Sequence, residues 1–409
     1  MDELVRRFER ATAPGEDRVL AGAVIASASS SGDTFIRAFG TTSINDNAES
    51  LAPSDIMWLA SCTKLQTTVA ALQCVERGLL TLEDDPSRIL PNWNTPDVLV
   101  GFDETTDQPL FKKPDNPITL RMLLTHSSGL ALEQSSPLLL RLKHKNGFTN
   151  ASSVSNQGDI IDAIRTAFTQ PSEAELPLVY EPGEGWSYGS SLDVVARMIE
   201  HVTGFGRLGD YMLENIWKPL GMSATTFRPA TRPDLRVVPL TIRLPSQQLA
   251  DGSDLPFPNK DPEKDSGGSG IFSSAEDYLK LLKSLLMNDG ILLRFETVES
   301  MFKPQLENDQ PVNEAFHNPI LAQYLLPGVP NDRQWNWGFG GVIATNGIPG
   351  RGKEGTMSWS GISSPQWWID PLGGTCGIFA TQLLPPGDSG AAALYAEFQR
   401  AMYQQNVKL

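Results

Sequence analysis

The sequence predicts an α+β fold in which one β-sheet is built from both ends of the chain. Two strand-like segments, 18–28 and 34–39, lie near the start, and the turn Ser-Ser-Ser-Gly-Asp between them favours an antiparallel hairpin. Further strand patterns follow after residue 335, whereas the middle of the chain shows mainly helical patterns. Strands at both ends with helices between them predict a mostly helical domain inserted into a sheet domain.

The individual elements follow from local periodicity and from helix stop residues. The predicted helices are 2–12, a helix that begins at Ser61 and is closed by Gly78, 118–130 with a glycine stop, 192–201 stopped at Gly204, 274–287 and 390–404, and the predicted late strands are 335–345, 354–360, 365–370 and 375–382. Residues 85–180 are mixed, and 231–265, rich in Pro, Asp and Ser, are predicted to form a long surface excursion. We assign 1–60 and 266–409 to the sheet domain and 61–265 to the helical domain, with the site at their interface.

Composition limits the classes of function. The 409 residues are 40% hydrophobic and 20% charged, with a net charge of −15 and no basic run, so neither nucleic acid nor an anionic membrane is an expected partner. No apolar run is long enough to span a bilayer, and the charged first residues do not resemble a signal peptide. Three cysteines and four histidines without metal-ligand spacing predict a reducing, cytoplasmic location, no metal site and no other cofactor.

The helix that begins at Ser61 carries the clearest chemical pattern. At 100° per residue Gln66, Gln73 and Arg77 share one face, whereas Lys64 lies on the opposite face among apolar residues. A serine needs a base to become a nucleophile, and a lysine three residues later lies within reach of it. Desolvation makes a neutral amine accessible, and the helix start offers free N–H groups to an oxyanion. The alternative, favoured for an isolated Ser-x-x-Lys, is an N-cap serine with a lysine that reaches water.

The same spacing recurs at Ser300 and Lys303, where Pro304 ends any helix and removes the context for catalysis. A competing nucleophile is Ser187 in Gly-Trp-Ser-Tyr-Gly, which fits G-x-S-x-G but lacks the strand that should precede it. A Ser-His triad would use His126 or His201. The alternatives are that His201 is a surface residue at a helix end and that His126 is a hydrogen-bonded structural histidine.

Aromatic residues later in the chain supply further candidates. The Tyr188 hydroxyl, beside a lysine, can relay a proton to and from the nucleophile, although packing is the usual role of such an aromatic residue. Trp359, Ser360 and Gly361 end a late strand, where a glycine lets a backbone N–H approach a ligand closely. Together with Trp367 on the next strand, Trp359 could wall an acyl pocket, although core packing is the default for each tryptophan.

Taken together, these motifs resemble the serine β-lactamase and penicillin-binding-protein superfamily, in its class C-like esterase branch, over residues 15–400. Ser61-Cys-Thr-Lys64, Tyr188-Gly-Ser190 and Trp359-Ser-Gly361 are similar to its three motifs and stand in the family's order. Accessory segments similar to the family's are 123–130, Pro219-Leu-Gly-Met222 and 267–274. The segments 59–78 and 186–193 are most similar to fungal acyltransferases of the lovastatin-pathway type, which move a short acyl chain from a thioester carrier to a natural-product hydroxyl.

Two departures from the family pattern bear on the activity. Ser190 stands where many β-lactamases carry Asn, and Trp359 where they carry Lys or His, so the cation that binds a carboxylate is missing. This argues against β-lactam hydrolysis. The resemblance implies a β-lactamase/transpeptidase-like fold, an antiparallel sheet flanked by helices with the site beside a helical domain. It also implies an oxyanion hole formed by the backbone N–H groups of Ser61 and Ile362.

We therefore predict an acyltransferase with a ping-pong mechanism. Lys64, assisted by Tyr188, deprotonates Ser61, which attacks an ester or a thioester carried by an acyl carrier protein or by coenzyme A. A hydroxyl of a small natural product then accepts the acyl group. The predicted substrate-binding residues are Trp359, Ser360, Gly361, Ser190 and Trp367. A carboxylesterase or lactonase with the same residues, or a non-catalytic binding protein on the same scaffold, is the alternative.

Overall fold

The computed structural model describes residues 1–133, 136–145 and 176–406. The strands are β1 (Gly22–Ser29), β2 (Thr34–Gly40), β3 (Met57–Trp58), β4 (Val98–Phe102), β5 (Pro109–Lys112), β6 (Thr225–Thr226), β7 (Thr241–Arg243), β8 (Leu249–Asp251), β9 (Phe272–Ser273), β10 (Trp335–Trp337), β11 (Val342–Ala344), β12 (Thr356–Ser360), β13 (Gln366–Asp370), β14 (Thr375–Thr381) and β15 (Leu383–Leu384). The helices are α1 (Asp2–Thr12), α2 (Thr63–Glu76), α3 (Pro86–Ile89), α4 (Leu120–Thr125), α5 (Pro137–Lys145), α6 (Ser191–Thr203), α7 (Leu208–Met212), α8 (Lys218–Leu220), α9 (Ala275–Met287), α10 (Phe295–Met301), α11 (Gln310–His317), α12 (Pro319–Leu325) and α13 (Ser389–Asn406).

One seven-stranded antiparallel sheet joins the two ends of the chain, in the order β10-β11-β12-β13-β14-β1-β2. The junction is the pairing of β1 with β14, which runs from Ala23 opposite Thr381 to Ser29 opposite Thr375. The α+β fold and the sheet built from both chain ends are therefore confirmed. The division into a sheet domain and a helical domain at residues 60 and 265 stays a prediction.

Helices cover both faces of this sheet because the side chains of its strands alternate between two cores. From β1, Ala23 and Ile25 point to the smaller core, where they pack with residues of α1 and α13. Val24 and Ala26 point to the larger core, which contains α2, α6 and α9. The start of α2 is therefore enclosed between the sheet and other helices, and it is here that the candidate site lies.

The helix α2 differs from its prediction, because it is buried on all sides from Thr63 to Cys74. Gln66, expected on a solvated face, is fully buried and accepts a hydrogen bond from Trp217 Nε1 at 2.6 Å. Gln73 is also buried, and its amide donates to the carbonyl of Leu292 at 3.0 Å. The amphipathic interpretation was wrong because neighbouring segments, rather than water, surround these two side chains, and Trp217 and Leu292 each form a hydrogen bond with one of them.

Several other boundaries also differ. The predicted strand 335–345 is two strands, since a turn closed by the Gly338 N–H and the Gly341 carbonyl at 2.9 Å separates β10 from β11. The predicted helix 118–130 is only α4, which ends where His126 adopts a left-handed backbone conformation with φ 58°. The predicted excursion 231–265 contains β7 and β8, which form a small sheet with β15.

The prediction of mixed structure for 85–180 is tested only in part, because 134–135 and 146–175 lie outside the described residues. Within the described part, β4 and β5 form an antiparallel pair and α4 follows them. None of the described helices is both long and apolar enough to cross a membrane.

Candidate active site

Ser61 and Lys64 are in contact at the start of α2. Ser61 lies in a 3₁₀ turn, Ala60–Cys62, which leads directly into the helix, and Thr63 Oγ1 fixes this turn by donating to the Ala60 carbonyl at 2.6 Å. Lys64 follows in the first turn of α2, and its Nζ donates to Ser61 Oγ at 3.2 Å. Lys64 is only 6% exposed, so its amine is largely removed from water while it touches the serine.

A second anchor for the amine comes from a segment that we call the glycine loop, residues 266–271. Lys64 Nζ donates to the Gly268 carbonyl at 2.8 Å, and Thr67 Oγ1 donates to the Gly267 carbonyl at 2.7 Å. Glycine is required at 267, because a methyl group there would collide with the Leu192 carbonyl oxygen of α6. The glycine loop is thus packed between α2 and α6, where its carbonyl oxygens meet the first turns of α2.

Tyr188 forms the wall opposite the amine. Lys64 Nζ lies 4.6 Å from the centre of the Tyr188 ring, and the Tyr188 hydroxyl accepts a hydrogen bond from Trp359 Nε1 at 3.2 Å. The ring contacts Trp359 and His126, with centroid distances of 5.0 Å and 4.8 Å. Tyr188 is therefore held in one position by its neighbours, beside the Ser61–Lys64 pair.

His126 is not the hydrogen-bonded structural histidine that the sequence suggested. It is 1% exposed, and neither ring nitrogen has a hydrogen-bond partner among the described residues. Burial, together with the charge of Lys64, holds the pKa of His126 well below its usual range. Its imidazole is therefore neutral near pH 7 and contacts Tyr188 and Trp337 by ring packing.

The competing nucleophile lacks the geometry that it needs. Ser187 follows an irregular segment rather than a strand, and its backbone N–H donates to the His126 carbonyl at 3.0 Å. His201 is exposed near the end of α6, as expected for a surface residue. The local structure around Ser187 is thus not a nucleophile elbow.

The end of β12 forms another wall. Trp359 and Ser360 line the cavity at Ser61, and Ser360 Oγ donates to the Leu325 carbonyl at 2.6 Å. At Gly361 a side chain would collide with the Leu59 carbonyl oxygen, so glycine allows this turn to approach the segment that carries Ser61. Ile362 lines the cavity, and its backbone N–H donates to no group among the described residues.

The two remaining predicted binding residues differ in position. Ser190 lines the cavity immediately before α6, and its Oγ is buried without a hydrogen-bond partner in the described part of the chain. Trp367 pairs with Trp359 across β12 and β13 but is fully buried and does not line the cavity. The expectation that Trp367 contacts substrate is therefore corrected, because other core residues cover it.

The cavity has a volume of about 1210 Å³, enough for a substrate larger than a short acyl chain. Sequence reasoning missed several parts of its lining, among them the loop 90–97, Asp193 of α6, and Tyr324 with Leu325 of α12. Of these, only Asp193 was indicated by the sequence, since it ends the segment 186–193 that resembles the fungal acyltransferases. No group of His, Cys, Asp or Glu in the described ranges is arranged to hold a metal ion.

Comparison with known proteins finds relatives that are similar to this chain over nearly its whole length. The β-lactamase family profile matches residues 7–402. The chain is 34% identical over 395 residues to the ML-236A carboxylate methylbutanoyltransferase of Penicillium citrinum, covering 94% of this chain and 90% of that protein. It is 35% identical to the lovastatin esterase of Penicillium rubens, covering 86% of each. Unliganded simvastatin synthase from Aspergillus terreus superimposes with a TM-score of 0.87 at 32% identity, covering 99% of this chain and 98% of that one.

Proposed function

The chain belongs to the β-lactamase family, and on that premise we propose that it is a serine acyltransferase that forms an acyl-enzyme on Ser61. The observation that carries the proposal is the buried Lys64 amine, 3.2 Å from Ser61 Oγ at the wall of a large cavity. Nucleophilic catalysis requires a hydroxyl that contacts a base and is accessible from a cavity large enough for the substrate.

Each half of the reaction uses the same groups. Lys64 takes the proton of Ser61 as the serine oxygen attacks the donor carbonyl, and the backbone N–H groups of Ser61 and Ile362 stabilise the oxyanion. The proton passes through Lys64, assisted by Tyr188, to the leaving thiolate or alkoxide. In the second half an acceptor hydroxyl loses its proton along the same route and attacks the acyl-enzyme, which restores free Ser61.

The chemistry of the relatives suggests the substrates. Two of the matched proteins are named as a methylbutanoyltransferase and a simvastatin synthase. We therefore propose an acyl thioester or ester as donor, on an acyl carrier protein or coenzyme A, and a hydroxyl of a small natural product as acceptor. The three buried free cysteines support the proposal that this takes place in a reducing, cytoplasmic environment.

Hydrolysis is the second candidate, because one matched relative is named as an esterase. Transferase and esterase would share Ser61, Lys64 and Tyr188 and differ only in whether a hydroxyl compound or water attacks the acyl-enzyme. β-Lactam hydrolysis is not proposed, since Trp359 occupies the position of the cation that would bind the substrate carboxylate.

The test is the fate of the acyl group. The protein is incubated with a butanoyl thioester and a panel of hydroxylated natural products, and new ester and free acid are quantified together by mass spectrometry. New ester that increases with acceptor concentration at the expense of free acid supports transfer. Free acid alone, at every acceptor concentration, contradicts transfer and favours the esterase, while Ser61→Ala serves as the control that should form neither product.

A further inference from the structure

We propose that Asp193 is a positioning residue for the Ser61–Lys64 pair and acts through the glycine loop. The inference rests on the proposed function, because it concerns how Lys64 is held while it takes the proton of Ser61. Asp193 does not touch Lys64 through a hydrogen bond. It binds the residue whose carbonyl oxygen holds the amine.

The connection consists of consecutive hydrogen bonds around Gly268. Asp193 Oδ1 accepts from the Gly268 N–H at 3.2 Å and from Ser266 Oγ at 2.8 Å. On the other side of the same residue, the Gly268 carbonyl accepts from Lys64 Nζ at 2.8 Å. Both backbone polar groups of Gly268 are thus engaged, one by a carboxylate of α6 and the other by the amine of α2.

Such an anchor is needed because neither partner is rigid by itself. Two consecutive glycines, 267 and 268, have wide conformational freedom, and a lysine side chain loses rotamer entropy when it is fixed. Ser266, which Asp193 also binds, is linked through its Oγ to the Ser269 backbone N–H at 3.1 Å. Asp193 Oδ1 therefore holds the loop at the Gly268 N–H directly and at the Ser269 N–H through Ser266. These two groups lie on either side of the Gly268 carbonyl that orients the Lys64 amine.

The space around Gly268 shows how closely the three groups are fitted. A methyl group at this position would lie 2.9 Å from Asp193 Oδ2 and 3.5 Å from Lys64 Nζ. Only glycine fits between them without displacement. A shift of the loop would move the Gly268 carbonyl and, with it, the amine relative to Ser61 Oγ, and misplacement of about 1 Å can reduce a rate by about 100-fold.

The test uses the two substitutions Asp193→Asn and Asp193→Ala in the full-length protein. Both hydrogen bonds go to Oδ1, which asparagine retains, so Asp193→Asn preserves the acceptor whereas Asp193→Ala removes it. The release of nitrophenolate from p-nitrophenyl butyrate in the first turnover gives the acylation rate constant and the ester's dissociation constant separately. Thermal unfolding of each variant gives its stability.

We expect acylation by Asp193→Ala to be about 10- to 100-fold slower, with an unchanged dissociation constant for the ester, and Asp193→Asn to recover most of the rate. The matched control is Glu200→Ala, which removes another α6 carboxylate that accepts a backbone N–H, from Leu208 at 2.8 Å, and should leave acylation unchanged.

Two results would overturn the proposal, namely normal acylation by Asp193→Ala, or acylation by Asp193→Asn that is as slow as that of Asp193→Ala at equal stability. Absence of acylation in the unaltered protein would instead refute the proposed function, so the two failures can be distinguished.

Discussion

The chain contains two Ser-x-x-Lys segments, and their surroundings make them chemically different. At the start of α2, Nζ of the buried Lys64 contacts Ser61 Oγ at 3.2 Å. At the end of α10, Ser300 Oγ instead donates to the Thr297 carbonyl of its own turn at 2.7 Å, and Lys303 lies exposed beyond the helix. A spacing of three residues is therefore not sufficient to bring the two side chains together.

The difference lies in what each lysine meets. Lys64 finds a carbonyl acceptor in the glycine loop and an aromatic ring in Tyr188, both far from it in sequence. Lys303 is exposed to water, and its Nζ has no ion-pair partner or hydrogen-bond acceptor in the described structure. Tertiary packing thus makes one copy of the motif a candidate catalytic pair and leaves the other as ordinary surface.

The largest expected effect comes from removing each lysine in turn. Lys64→Met should reduce the acylation rate of Ser61 by about 10⁴-fold, because it removes the amine that hydrogen-bonds Ser61 Oγ. Lys303→Met, the matched change in the other segment, should leave the rate within about twofold. Stopped-flow measurement with an activated ester checks both, and equal losses in the two variants would break the comparison.

The next effect isolates the Tyr188 hydroxyl. Tyr188→Phe keeps the ring that faces Lys64 but removes the hydroxyl that we propose as a proton relay, and we expect acylation to slow by about 10²- to 10³-fold. Tyr211→Phe is the control, because that hydroxyl is buried against Gln73 at 3.1 Å away from the cavity, so its loss should lower stability rather than the rate. An unchanged rate in Tyr188→Phe would show that the ring alone is needed.

A smaller effect tests the glycine loop. Gly268→Ala inserts a methyl group 3.5 Å from Lys64 Nζ and 2.9 Å from Asp193 Oδ2, so we expect about tenfold slower acylation. Gly206→Ala introduces the same methyl group where no atom lies within 4 Å and should have no effect on the rate. Equal rates for Gly268→Ala and the unaltered protein would mean that the loop does not orient the amine.

The smallest expected effect concerns stability and pH. His126, which packs on Tyr188, has a pKa well below its usual value because it is buried and near Lys64. The unfolded chain, with an ordinary histidine pKa of about 6.5, therefore binds this proton more readily, and stability falls as pH drops below about 6.5. Between pH 7.5 and 5.5 this histidine should lower the free energy of unfolding by on the order of 1 kcal/mol.

The measurement is chemical denaturation at the two pH values for the unaltered protein and His126→Asn. Asparagine tolerates the left-handed backbone at this position, and the variant should lose less stability on acidification than the unaltered protein. The exposed His201, changed to asparagine, is the control and should leave the pH response of the protein unaltered. An identical response in His126→Asn would show that His126 is not buried in its neutral form.

Sequence reasoning succeeded where the relevant contacts are local. The helical spacing of Ser61 and Lys64 predicts their proximity, and strand patterns at both chain ends predict the sheet that joins them. It failed where the partner is distant, since the Gly268 carbonyl that anchors Lys64 lies 204 residues away and nothing local indicates it. The prediction that Gln66 is solvated was wrong for the same reason. The periodicity argument assumes that water surrounds one face of the helix, whereas Trp217 is the hydrogen-bond partner of Gln66 in the structure.

The sequence motifs predicted the reactive residues of the candidate site, but they did not predict the shape of the cavity around them. Trp359 and Trp367 were both predicted to bind substrate, yet of the two only Trp359 lines the cavity, because core residues cover Trp367. The loop 90–97 lines the cavity without any chemical pattern, so its role appears only when the chain is folded. Motifs identify reactive groups, whereas packing decides which neighbours enclose the substrate.

Among Ser61, Ser187 and Ser300, Ser61 alone should become acylated, and the most direct test is the intact-protein mass after rapid mixing with p-nitrophenyl butyrate and acid quenching. The unaltered protein, Ser300→Ala and Ser187→Ala should each gain one butanoyl group, and Ser61→Ala should gain none. Quenching at millisecond times captures the adduct before turnover removes it. An adduct that persists in Ser61→Ala and disappears in Ser187→Ala or Ser300→Ala would contradict the account.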